Sequence, residues 1–294
     1  MNRIDALHGA LAADAASMGL HWMYDHQQLD AIEAGGDVLF RQPDANAYDG
    51  KKAYFAHAAK RSGDYSQYGQ SASIAAKVIA THGAYDTNQH RALFFDTFGP
   101  CGSYHGFADK PTKALIAKMI VEGDAISDQS GSDDDQLPAL SVVPALFFNA
   151  CDENDLTAAV SVTSTNATAI EGAQVLHRCL SLINSGESLQ SALKTSAENA
   201  NGELQPLLQE AIDRPYDFRA AAIHFGLPCH MTQGLPIAWH LLYHASDFES
   251  VVRDNVRCGG DCCGRAMAVG SIAGLVFGVP VNIKRRVNDA SLLP

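Results

Sequence analysis

The chain has 294 residues, enough for a large buried core and near the upper size for one domain. Hydrophobic residues make up 47% and charged residues 18%, with a net charge of −12. Such a surface repels nucleic acid and anionic membranes, which argues against a general binder of either; small phosphorylated ligands bridged by divalent cations remain open. Residues 1–8 carry Arg3, Asp5 and His8 and no apolar stretch behind a basic start, so no secretory signal is expected. Seven cysteines, an odd count with three close together at Cys258, Cys262 and Cys263, point to the reducing cytoplasm.

In chain order the periodicity is helical almost throughout. Ile4–Gly19 sets Ile4, Leu7, Leu11, Ala15 and Met18 on one face. Ser71–Thr81 follows, closed by His82-Gly83 as a C-cap. Further helices are expected at 89–98, 112–122, 137–149, 155–162, 168–185, 189–200, 204–212, 234–244 and 247–253. Asp155 and Ser246-Asp247 supply cap chemistry, and Asn201-Gly202 reads as a helix–helix turn. Residues 37–51 and 123–136 are candidate loops. The run Ala266–Val279, about fourteen residues, is too short to span a bilayer and reads as a buried helix. No long β-branched alternation and no repeat occurs. The expected fold is all-α, an orthogonal multi-helix bundle forming a single domain over 1–294.

Two Asp-bearing turns have the same logic. Asp64 follows Gly63, and Asp261 follows Gly259-Gly260; each precedes a helix rich in small residues. Each carboxylate can cap its helix. If the two helix starts meet in space, both carboxylates enter one cleft, and hard oxygen ligands of that kind suit Mg²⁺ or Mn²⁺. The acidic loop Asp133-Asp134-Asp135-Gln136 is either a solvated helix entry or a binder of ribose hydroxyls or a cation. Tyr104, Gly106 and Phe107 either stack a base or sugar or fill the core. The adjacent Cys262-Cys263 pair fits a zinc site poorly, and Cys263 is expected to be buried and inert rather than nucleophilic. His21, between Leu20 and Trp22, reads as a satisfied core histidine. No P-loop, G-x-G-x-x-G, H-E-x-x-H or G-x-S-x-G is present.

Taken together these segments resemble the ADP-ribosylglycohydrolase family, in particular the branch of the J-type crystallins and selenoprotein J. Gly9–Ala15 looks like the family's G-x-x-x-G-D-A-L-G helix, and Leu20-His21-Trp22-Met23-Tyr24-Asp25 is similar to the H-W-I-Y-D of that branch. Gly63-Asp64-Tyr65-Ser66 stands where the family has T-D-D-T, and Gly259–Gly264 where it has G-G-D-T-D-T. Residues 133–144 resemble the loop-helix that follows the family's substrate loop. The resemblance implies an all-α fold whose cleft holds two Mg²⁺ or Mn²⁺ ions, and hydrolysis of an ADP-ribosyl bond. It departs at the ligands: Tyr65 and Cys263 replace aspartates, and Gly63 and Gly264 replace threonines. Fewer than two ions are therefore expected, with Asp64 and Asp261 as metal ligands and catalytic residues. Ser66, Tyr104, Gly106, Asp133, Asp135 and Gln136 are expected on a small-molecule or ADP-ribosylated substrate. The competing expectation is a catalytically degenerate member that binds ADP-ribose or a nucleotide, or is structural like a crystallin.

Overall fold

A computed structural model describes residues 2–127 and 129–289, excluding the side chain of Asp124. Among the described residues there are fifteen α-helices and no strands. They are α1 (Ile4–Ser17), α2 (His26–Ala34), α3 (Gln67–His82), α4 (Thr87–Phe98), α5 (Lys110–Glu122), α6 (Val143–Phe148), α7 (Glu153–Ser161) and α8 (Ala167–Asn184). The remainder are α9 (Leu189–Glu198), α10 (Leu204–Asp213), α11 (Phe218–Phe225), α12 (Met231–Tyr243), α13 (Phe248–Arg257), α14 (Cys262–Phe277) and α15 (Val281–Lys284). The all-α expectation holds.

The centre of the molecule is the packing of α14 along α1. Neither helix has a strong apolar stripe, because both are buried nearly all round. Small residues make this possible. A methyl group on Gly9 would overlap the carbonyl of Gly270, and one on Gly270 would overlap the carbonyl of Gly9. The glycines therefore let two backbones touch, and α3, α8, α12 and α13 close around the pair. Ile74, Phe94, Leu115 and Val162 form a smaller satellite core beneath α4 and α5.

Several boundaries move for identifiable reasons. α3 begins at Gln67 rather than Ser71, since the Ser66 side chain accepts from the Tyr68 N–H as N-cap. α5, capped by Asp109, starts two residues ahead of the expected start, and Asp152, not Asp155, caps α7. The stretch expected as one helix over 137–149 is a 3₁₀ segment, Leu137–Val142, running into α6, which carries Pro144 in its first turn. α2, α11 and α15 were not expected. The Gly83 C-cap is as anticipated, in the left-handed region at φ 75°.

Candidate functional site

Gly259 and Gly260 both have positive φ, 77° and 65°, the backbone region that glycine reaches without strain. Their turn is held by Arg265, fully buried in the first turn of α14. Its guanidinium donates to Asn255 Oδ1 (2.9 Å), to Asn255 O (3.0 Å) and to Gly259 O (2.5 Å). The turn delivers Asp261 to the N-cap of α14, where Oδ1 accepts from Gly264 N at 2.7 Å. Asp261 is thus a cap, as half of the expectation had it, and it is completely buried.

Two further donors reach the same carboxylate from elsewhere in the chain. His21 Nε2 lies 2.9 Å from Oδ1, and the Tyr68 hydroxyl donates to Oδ2 at 2.8 Å. His21 Nδ1 is in turn 2.8 Å from His57 Nε2. Burial opposes the charge, but the His21 and Gly264 N–H groups and the Tyr68 hydroxyl prevail, holding the Asp261 carboxyl down at about 2. With Asp261 ionised, His21 donates to it through Nε2, and its Nδ1 shares a hydrogen bond with His57 Nε2. Burial pushes His57 well below the usual histidine range, so it is neutral. Trp22, itself in the left-handed region at φ 60°, stacks on His21 with ring centres 4.0 Å apart and donates through its indole N–H to Cys229 Sγ at 3.2 Å. These groups form a closed hub of Tyr68, Asp261, His21 and His57 roofed by an indole.

A second buried acid, Asp14 of α1, lies beside the hub. Ser66 donates to it from both its backbone N–H (2.8 Å) and its hydroxyl. Desolvation outweighs these bonds and raises the Asp14 carboxyl from 3.8 to about 7. Cys263 is also buried, its Sγ 3.9 Å from the Asp14 carbonyl, and burial drives its thiol far up. It has the inert character expected of it. Cys258 and Cys262 face different carbonyls, Phe218 O and Ser17 O, and all seven cysteines are free.

The other expected residues are distributed around this hub rather than in it. Asp64 is not the cap of α3. It accepts from Arg61 N and from Asn288 Nδ2, each at 2.8 Å, and lines a 280 Å³ cleft with Tyr104 and Lys60. The Tyr104 ring carries the Lys60 ammonium 4.0 Å above it, and exposed Gly106 lies against both. Of the acidic loop, Asp133 accepts from Asn166 (2.7 Å) and Asp135 pairs with His230 (2.8 Å), while Gln136 bridges to His230 ahead of the 3₁₀ segment. The middle acid, Asp134, is the buried one, 3.4 Å from Lys110. Ser66 is fully buried against Asp14. Among the described residues Asp64 and Asp261 share no hydrogen-bond partner, and the four residues that open α3 from its cap are Ser66-Gln67-Tyr68-Gly69, which contain no carboxylate. Among the described residues no group of three or more His, Cys, Asp or Glu side chains is placed to hold a metal ion.

The all-α bundle built around α1 and α14 is the fold class to which these motifs belong. The chain matches the ADP-ribosylglycohydrolase family over residues 2–290 and belongs to it. It is similar to Crystallin J1A of Tripedalia cystophora, 23% identical over 93% of this chain and 87% of the relative. A solved structure described as an ADP-ribosylglycohydrolase-related protein complex superposes with a TM-score of 0.72 at 14% identity, covering 98% of this chain and 93% of that one. Divalent cations are typical of the family. The Asp261 donor set does not fit one: both its oxygens accept from N–H and O–H groups, and a thiol stands where the next acid belongs.

Proposed function

We propose that this protein is a catalytically degenerate member of its family, a crystallin-like structural protein of the cytoplasm whose role does not depend on turnover. The supporting observation is the hydrogen-bond saturation of Asp261. His21 and Tyr68 now provide the charge stabilisation that a cation would give, and they also enclose the carboxylate. The likeness to a protein named as a crystallin favours the same reading.

The rival reading is hydrolysis of an ADP-ribosyl bond. It would have Asp64 and Asp261 act catalytically around one Mg²⁺ or Mn²⁺ ion, with Ser66, Tyr104, Gly106, Asp133, Asp135 and Gln136 on the substrate. That requires Asp261 to exchange three protein donors for an ion and to approach Asp64, which is tied to Arg61 and Asn288. Release of ADP-ribose from an ADP-ribosylated peptide decides between the two. The expected result is no release with Mg²⁺, Mn²⁺ or EDTA. Metal-dependent release that Asp261→Asn abolishes would establish the hydrolase instead.

A further inference from the structure

A cleft of 630 Å³ opens next to the hub, a volume within the range of small-molecule sites. Its floor is a short extended ribbon in which Tyr24 N donates to Lys52 O (2.9 Å) and Tyr54 N donates to Trp22 O (3.0 Å). Its far wall is the end of α11 and the connection to α12, with Ile223 and Pro228. Tyr54 and Ile223 are 55% and 65% exposed, large apolar groups left open to water at one opening. Tyr54 is not loose. Its ring meets Trp22 edge-on at 5.6 Å and Phe107 at 5.9 Å, so little side-chain freedom remains to be lost when a ligand lands on it.

The side chains that line the cleft differ in charge from the molecule as a whole. The chain carries −12, yet the lining holds Lys52 and His26 and no carboxylate. Lys52 is exposed and makes no ion pair with any described residue. His26 is oriented by its Nε2, 2.9 Å from Cys258 O. Tyr24 keeps its proton at neutral pH, because burial and the nearby Cys229 and Asp261 raise its phenol. The cleft therefore offers a fixed aromatic face, an unpaired ammonium and a hydroxyl donor.

We propose that this cleft binds a small planar aromatic molecule bearing an anionic group, with the ring on Tyr54 and Ile223 and the anion at Lys52. The proposal stands apart from the degenerate reading above, since it needs neither hydrolysis nor its absence. Fluorescence titration with 1-anilinonaphthalene-8-sulfonate tests it, beside the uncharged N-phenyl-1-naphthylamine. Saturable one-to-one binding of the anion is expected. Tyr54→Ala should weaken both probes at least about tenfold. Lys52→Gln should weaken the sulfonate about fivefold and leave the uncharged probe unchanged. Ile120→Ser, which alters an equally exposed side chain on α5, should change neither. Displacement of the probe by AMP would assign the anion to a nucleotide, and displacement by benzoate to an aromatic carboxylate. Displacement by neither would overturn the proposal, as would binding indifferent to both Tyr54→Ala and Lys52→Gln in variants with parental circular dichroism.

Discussion

Asp261 and Asp14 are both fully buried acids, and they respond to burial in opposite ways because of their partners. Asp261 has three donors and titrates at about 2, below its ordinary 3.8. Its stabilising effect is present above pH 4 and fades as pH falls towards 2, by roughly 2 kcal/mol. Removing it with Asp261→Ala leaves the His21, Tyr68 and Gly264 donors buried without an acceptor. A loss of about 3 to 5 kcal/mol is expected in urea denaturation at pH 7. Asp14 takes its two hydrogen bonds from Ser66, helped by Lys60 and Cys263, and burial still lifts it to about 7. The folded protein holds that proton more tightly than the unfolded chain, so the Asp14 contribution to stability is greatest below pH 4 and declines as pH rises to 7. Three pKa units correspond to roughly 4 kcal/mol. Asp14→Asn should flatten that decline while leaving the acid limb below pH 4 in place. A denaturation series from pH 3 to 8 on both proteins measures it, and an unchanged pH profile in Asp14→Asn would show that the carboxyl titrates in the folded protein as it does in the unfolded chain.

At the scale of elements, the contact between α1 and α14 depends on glycine as a missing side chain rather than as a flexible residue. Gly9→Ala places a methyl on the Gly270 carbonyl, where only backbone can yield. A loss of about 3 kcal/mol or more is expected. Gly83→Ala meets nothing within 4 Å and strains only its left-handed C-cap, for about 1 kcal/mol. Chemical denaturation of the two variants should rank them in that order. The small-residue character of the two helices was legible in the chain, and so were long helices such as α8, but the meeting of Gly9 with Gly270 was not. α2 was not, because its nine residues bury only Leu29 and show no apolar stripe; its signal was the Asp25 cap alone. The site was half legible. Gly-Gly-Asp before a small-residue helix marked Asp261. Its partners lie 240 residues away at His21 and 193 away at Tyr68, and local pattern carries no information about such pairings. The Ser66 cap starts α3 four residues ahead of the expected helix, and Tyr68, carrying no local signal, then turns inward to Asp261.

Across the whole molecule, a hydrogen-bonded carboxylate ties the start of α3 to the last motif, in a family whose members typically use divalent ions. Tyr68 and Cys263 approach Asp261 from the two motifs, the former by hydrogen bond and the latter closely enough to feel its charge. If these two residues substitute for ions, placing acids at their positions should create a demand for them. Tyr68→Asp with Cys263→Asp sets two new carboxylates beside Asp261 and Asp14 in a dry interior. Like charges there repel strongly, so the double variant should melt well below the parent in EDTA. Mn²⁺ should restore much of that loss, because an ion bound only by the folded form adds about 2.7 kcal/mol at a hundred times its Kd. The parent, with its carboxylate already saturated by hydrogen bonds, should melt at the same temperature in Mn²⁺ and in EDTA. A parent that is itself stabilised by Mn²⁺, and loses the effect in Asp261→Asn, would mean that the carboxylate trades its protein donors for an ion and that the hub is a closed resting form of a working metal site.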